Sequence, residues 1–216
     1  MSLAGRRIVV SAGPTYEDID PARFIGNRSS GKMGFAIAAE AARRGAGVML
    51  VAGPVHLPTP EGVTRIDVRS AAQMHRAVMA ALPADAYIGA AAVADFTPRS
   101  YSGAKLKKQP GQETLTLELV RTADILADVA AHADRPAFVA GFAAETHDIE
   151  RYARAKLESK RVDMICANRV GVPGSGFESD ENALRVFWRN GDAALGPAPK
   201  PAVAAALLDL IDKELP

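Results

Sequence analysis

Apolar residues along this chain fall into short continuous runs separated by longer stretches with helical spacing. The run at 7–10, with Ile8, Val9 and Val10, is too short for a helix and is apolar on both sides, which predicts a strand buried on both faces. An alanine-rich helix is predicted at 33–44, closed by Gly45. Strands follow at 48–52 and 64–68, then a helix at 71–82 with Met74, Ala77, Val78 and Ala81 on one face. A further doubly buried strand is predicted at 87–93. Strands at 137–142 and 163–167 flank a helix at 149–160, and a last helix spans about 201–214. This alternation predicts an α/β fold with a doubly wound, mainly parallel sheet.

Two segments break the pattern. The stretch 96–120 is polar and then alternates through 114–119, the mark of a half-exposed strand. A hairpin around Asn190-Gly191 is predicted at 184–194. Both are expected to form a small antiparallel subdomain, at 96–120 and about 182–194, that covers a site or pairs with a second subunit. The rest of residues 1–216 reads as one domain.

Composition changes this picture little. Hydrophobic residues at 48% and charged residues at 24% are ordinary for a globular chain. A formal net charge of +1 supplies no global attraction to nucleic acid or an anionic membrane, so any basic site is local. The single cysteine, Cys166, lies in an apolar run and reads as a buried strand thiol. His56, His75, His132 and His147 have no ligand spacing, so no protein-built metal site is expected. With no signal-peptide pattern and no apolar run of spanning length, the cytoplasm is the expected compartment, and the chain reads as a domain of something longer.

The most informative stretch is NRSSGKMG at 27–34. Ser29 or Ser30 is placed to cap the following helix, and Gly31 and Gly34 let a ligand approach the backbone, where the helix dipole favours a phosphate. An ordinary capped helix is the alternative. From Gly26 the spacing nearly fits a P-loop, but Met33 stands where a hydroxyl would hold Mg²⁺. The dinucleotide fingerprint is absent after the first strand, where SAGPT occupies 11–15. A nucleotide must bind elsewhere.

Three other features carry candidate chemistry. Asp95 follows the small residues 89–94 at the end of a predicted strand, where open α/β sheets bind ligands; a turn-capping aspartate is the alternative. The basic run at 105–108 reads either as a solvated loop or as a flap that brings a lysine onto a phosphoryl group. Lys156 and Lys160 fall within roughly 20° of Ile149 on a helical wheel, on the apolar stripe, and so either snorkel or meet an anion. Because that helix should run away from the ligand rim, the second reading requires a bend or an unusual placement.

In their order these motifs resemble the phosphopantothenate–cysteine ligase family along nearly the whole chain, in its bacterial, CTP-dependent form. The resemblance rests on SAGPT at 11–15, Asp20-Pro21 through Arg23, and NRSSGKMG at 27–34. It continues through AAVADF at 91–96, KLKK at 105–108, GFAAET at 141–146 and ICAN at 165–168. It implies a Rossmann-like fold and an acyl-cytidylate route: phosphopantothenate attacks CTP, pyrophosphate leaves, and cysteine displaces CMP, a step in coenzyme A biosynthesis. Mg²⁺ would ride on the triphosphate.

Carried over by position, Gly13, Ser29, Gly31 and Gly34 would hold the phosphate of phosphopantothenate, with Arg23 reaching it from the neighbouring subunit of a homodimer. Asn27, Ala91, Ala92 and Asp95 would surround the reacting carboxylate, Asn27 orienting the acyl intermediate. Asp95, Lys105, Ala123, Asp124, Ile125, Leu126, Phe142, Lys156 and Lys160 would serve the nucleotide, with Lys105 on the α-phosphate. The family often carries proline where this chain has Ala123. The resemblance also implies a fused decarboxylase domain as partner. A nicotinamide-dependent oxidoreductase is the main rival, but the dinucleotide fingerprint is absent after the first strand.

Overall fold

Strand β1 (Arg7–Ala12) buries both of its faces, with Ile8, Val10 and Ala12 on one side and Val9 on the other. That double burial is why its sequence is apolar without alternation. The computed structural model of the chain describes residues 2–108, 110–145, 147–169 and 179–215. On one side of β1 lie β4 (Gly47–Ala52) and β5 (Val63–Asp67). On the other lie β6 (Ala86–Gly89), β9 (Phe138–Glu145) and β10 (Met164–Arg169), all parallel. Helices α1 (Lys32–Arg43) and α5 (Lys200–Glu214) cover one face. The other face carries α2 (Ala71–Ala80), α3 (Ile125–Ala130) and α4 (Ile149–Lys160). The doubly wound sheet is therefore as the apolar pattern predicts. No helix among the described residues is long and apolar enough to cross a membrane.

The chain leaves β1 toward β4 and later returns to β6 on β1's other side. This reversal opens a crevice above the carboxyl ends of β1 and β6, the usual ligand position in such sheets. Two hairpin-like additions rise beside it: β2 (Tyr16–Asp20) with β3 (Arg23–Gly26), and β7 (Phe96–Pro98) with β8 (Leu119–Arg121).

Several elements differ from expectation. The hairpin at 184–194 forms β11 (Glu181–Trp188) and β12 (Gly191–Pro199), and it extends the central sheet antiparallel to β10 instead of forming a side sheet. The reason is packing: Leu184, Val186 and Phe187 are buried, so the strand has inner faces to fill. The alternating segment at 114–119 pairs only from Leu119, with Leu115 51% and Leu119 40% exposed, because nothing among the described residues covers its apolar side. The strand predicted at 87–93 ends at Gly89, after which the chain turns to bond with 13–15. Strands β2 and β3 and helix α3 have no counterpart in the pattern reading.

Candidate active site

The glycine-rich stretch at 27–34 leads into α1, but no serine caps that helix. Gly31 occupies the N-cap in the left-handed region, φ 76°, and Ser29 Oγ accepts from the Gly31 amide at 3.3 Å. A glycine stands there because L side chains avoid that backbone and because a Cβ would come within 3.1 Å of Val55 Cγ1. Gly13, also left-handed, packs directly behind it, 3.4 Å from the same hypothetical Cβ. Gly34 lies so close to β1 that a Cβ would stand 2.5 Å from Ala12 Cβ. The three glycines together press the start of α1 against the sheet, and a helix start of this kind is a position that favours an anion.

Opposite this turn, the segment after β6 is held on several sides. The Ala92 amide donates to Gly13 O at 2.9 Å, and the Ala94 amide donates to the buried Thr15 Oγ1 at 3.0 Å. Thr122 donates through Oγ1 to Ala94 O at 2.6 Å and through its amide to Asp95 O at 3.0 Å. Asp95 is thus carried on a fixed strap above the crevice.

Two clefts of about 450 Å³ each open here. The first is bounded by Asn27, Ser29, Gly31 and Gly34 on the α1 side, with Lys200 and Asn168 deeper in. The second runs over Ser11 and Tyr87 to the start of α3 at Ala123, Asp124, Ile125 and Leu126, and is walled by Lys160. Ala91, Val93, Asp95, Phe142 and Lys156 line both. The clefts meet at those five side chains.

Lysine placement explains the wheel pattern of α4. Strand β9 continues four residues past its last pairing with β6, Gly89 with Gly141, and ends at Glu145. Helix α4 therefore starts well above the rim, and its later turns come level with the clefts without a bend. Lys156 Nζ donates to Phe142 O at 3.3 Å, and Lys160 pairs with Asp124. Burial, reinforced by Lys160, pushes Lys156 below the ordinary lysine range, against the pull of Glu145, Asp124 and Asp95. Burial would raise Asp124, but the Lys160 ammonium and the Ala127 amide outweigh it and hold the carboxyl low. Asp124 also caps α3, accepting from Ala127 N at 3.1 Å, a role its place before an apolar run could have signalled.

The family model described as "DNA/pantothenate metabolism flavoprotein C-terminal domain" matches residues 3–215. The chain belongs to that family. Among its relatives, the coenzyme A biosynthesis bifunctional protein CoaBC of Vibrio cholerae is 51% identical over 214 residues, 99% of this chain and 54% of that protein. The CoaBC protein of Escherichia coli is 52% identical over 206 residues, 94% of this chain and 51% of that protein. The chain thus spans about half the length of the curated relatives it matches. A solved structure of the C-terminal domain of a CoaBC bifunctional protein superposes with TM-score 0.83 at 39% identity, covering 99% of this chain and 97% of the other.

Within this flavoprotein C-terminal domain, most of the residues singled out from sequence come together. Asn27, Ser29, Gly31, Gly34 and Ala92 line the first cleft, and Ala123 to Leu126 and Lys160 the second. Ala91, Asp95, Phe142 and Lys156 stand at the junction. Gly13 acts from behind. Arg23 and Lys105 line neither cleft of their own chain. Thr146, last of the 141–146 motif, lies outside the described residues.

Sequence reading missed several lining groups. Lys200 is 5% exposed, bonds Ser179 O, and is pushed down by burial and by Lys32, with Asp180 opposing. A lysine before Pro201 reads as a solvated helix start, so nothing marked it. The fully buried Tyr87 hydroxyl meets Ser11 Oγ at 2.9 Å on the floor of the second cleft, and burial pushes it up to about 12. Asn182 came from a hairpin expected elsewhere.

Proposed function

We propose that the chain is a CTP-dependent phosphopantothenate–cysteine ligase domain acting in coenzyme A biosynthesis. The observation that carries this reading is the meeting of the two clefts at Asp95, Phe142 and Lys156. A two-substrate condensation requires that arrangement, because the reacting ends of two separately gripped molecules must lie side by side. Relatives named for coenzyme A biosynthesis support the choice of substrates.

In this reading the phosphate of phosphopantothenate sits at the start of α1, against Ser29, Gly31 and Gly34. Its carboxylate lies beside Asn27 and Ala92 at the junction. CTP occupies the second cleft along α3 and α4, with Lys156 and Lys160 facing its phosphates. A carboxylate oxygen attacks the α-phosphorus, the P–O bond to pyrophosphate breaks, and an acyl-cytidylate forms. The cysteine amine then attacks the acyl carbon, CMP departs with the bridging oxygen, and the amine loses its proton. Lys105 stabilises the charge that builds on the α-phosphate.

Magnesium fits this site as a passenger on the nucleotide. Among the described residues no three His, Cys, Asp or Glu side chains gather, and a triphosphate-bound ion needs only one or two carboxylates, for which Asp95 is placed. When bound, it would neutralise phosphate charge.

The exposed side chains of Phe24, Phe96, Tyr101, Leu115 and Leu119 all lie on the β2–β3 hairpin and the 96–121 insert. A second copy of the chain covering this apolar patch would form the expected homodimer and let Arg23 reach a neighbouring site. A decarboxylase domain is proposed for the length that the relatives have and this chain does not span.

The deciding assay supplies phosphopantothenate and CTP and follows pyrophosphate, then adds cysteine and follows CMP and the amide. Pyrophosphate that depends on phosphopantothenate, followed by cysteine-dependent CMP, is expected. Absence of pyrophosphate with every nucleoside triphosphate contradicts the reading.

A further inference from the structure

Asp20, in the stretch from Asp20-Pro21 through Arg23, forms a dense polar knot near the site. Its side chain is fully buried and its carboxylate accepts five N–H bonds. Oδ1 takes the amides of Ala22 at 2.8 Å and Arg23 at 2.9 Å. Oδ2 takes Arg23 Nε at 3.1 Å, Arg23 Nη2 at 2.5 Å and the amide of Leu106 at 3.1 Å. Arg23 Nη2 also donates to Leu106 O at 2.9 Å, and the Ser102 amide donates to Ile19 O at 3.0 Å. One carboxylate therefore holds both Arg23 and the chain next to Lys105, two predicted site residues that line neither cleft of their own chain.

We propose that Asp20 is a positioning residue that locks Arg23 and the Lys105 segment into one unit, coupling grip on the substrate phosphate to placement of Lys105. This rests on the ligase reading for what Arg23 and Lys105 touch. The physical argument is that a buried carboxylate is stable only while its donors stay in place. Arg23 cannot shift without disturbing Oδ2, which also receives the Leu106 amide. The forked Arg23 bonds, opposed by burial and helped by the Ala22 and Leu106 amides, hold the Asp20 carboxyl far below the usual carboxylate range. The knot thus stays ionised at ordinary assay pH. Charge-assisted forks of this kind fix direction as well as distance.

The test is Asp20→Asn, which keeps the side-chain shape and removes the charge. Misplacing reacting groups by about 1 Å costs on the order of a hundredfold. Asp20→Asn should therefore raise KM for phosphopantothenate and also slow pyrophosphate release at saturation by about that factor. CTP affinity measured without phosphopantothenate should stay within about twofold, since the nucleotide cleft shares no partner with Asp20. In an Arg23→Gln background, Asp20→Asn should still lower turnover, through Leu106. A variant with lower Tm but wild-type kinetic constants overturns the proposal, as does an equal loss of CTP affinity. Amide exchange at Leu106 is the second readout and carries the test if Asp20→Asn does not fold. Arg23→Gln, at a partly exposed site, should accelerate it, and unchanged exchange overturns the coupling. If wild-type protein releases no pyrophosphate, the ligase reading fails, and Leu106 exchange still decides the coupling on its own.

Discussion

Asn27 Nδ2 donates to the carbonyl oxygens of Ala92 at 3.0 Å and Val93 at 3.2 Å, joining the glycine-rich turn before α1 to the strap that carries Asp95. Asn27→Asp replaces this donor with an acceptor that faces two carbonyls. A hydrogen bond of this kind contributes about 0.5–1.5 kcal/mol, up to about one decade of rate if the loss falls on the reacting junction. Product formation should drop by about that factor while Tm changes little, because Asn27 is exposed. Wild-type turnover in Asn27→Asp would remove the residue from the junction.

Gly34→Ala tests the pressed start of α1. The added Cβ meets Ala12 Cβ at 2.5 Å and Ala12 Cα at 3.2 Å, both on a core strand that cannot yield. Overpacking of this kind costs about 1–3 kcal/mol. A lower denaturant midpoint and weaker phosphopantothenate binding are expected together. An unchanged midpoint would show that α1 has room to move.

On the proposed function, Lys156 should make nucleotide binding proton-linked. Burial lowers it from the ordinary 10.5, so the free protein gives up this proton within a window below that value. A bound triphosphate restores the charged form. Within the window CTP affinity should fall as pH rises, and binding should take up a proton; below it this linkage vanishes. The unfolded chain holds more protons across the same window, so unliganded stability rises there with pH. Calorimetry in buffers of different ionisation heat measures the uptake, and Lys156→Met should abolish it. Equal uptake in wild type and variant would contradict the assignment.

Lys105→Gln separates chemistry from folding. The side chain is exposed and outside both clefts of its own chain, so Tm and phosphopantothenate affinity should hold. Pyrophosphate release should slow on the order of a hundredfold, the effect of removing one transition-state donor. Unchanged release returns this lysine to a solvated loop.

Cys166 is fully buried and its thiol is pushed well above the ordinary range by burial alone. A thiol reagent should modify it only at the rate of unfolding. Rapid labelling of native protein would contradict its placement in β10.

The central strands and the helices at 33–44, 71–82, 149–160 and 201–214 were legible because double burial and helical spacing leave strong apolar patterns. The wheel position of Lys156 and Lys160 places them on one face, and both line the second cleft, although the overhang of β9 that brings them level cannot be read locally. Strands β2 and β3 were hidden because the charged residues Glu17, Asp18, Asp20 and Arg23 break any apolar alternation, and the hairpin is held by Asp20 and Arg69 instead. The sheet position of β11 depended on Phe187 and Val186 finding inner faces, a tertiary fact. Neither Ser29 nor Ser30 takes the N-cap position, because the left-handed turn puts Gly31 there. Lys200 was illegible because its burial comes from α5 packing beside α1, far away in sequence.

In the proposed ligation a carboxylate and an α-phosphate meet where the two clefts join. Phosphopantothenate labelled with oxygen-18 in its carboxylate, turned over with CTP and cysteine, tests this most directly. One labelled oxygen should appear in CMP, since the acyl–oxygen bond breaks when cysteine attacks. Label found in pyrophosphate or inorganic phosphate, or CMP free of label with the amide formed, would contradict it.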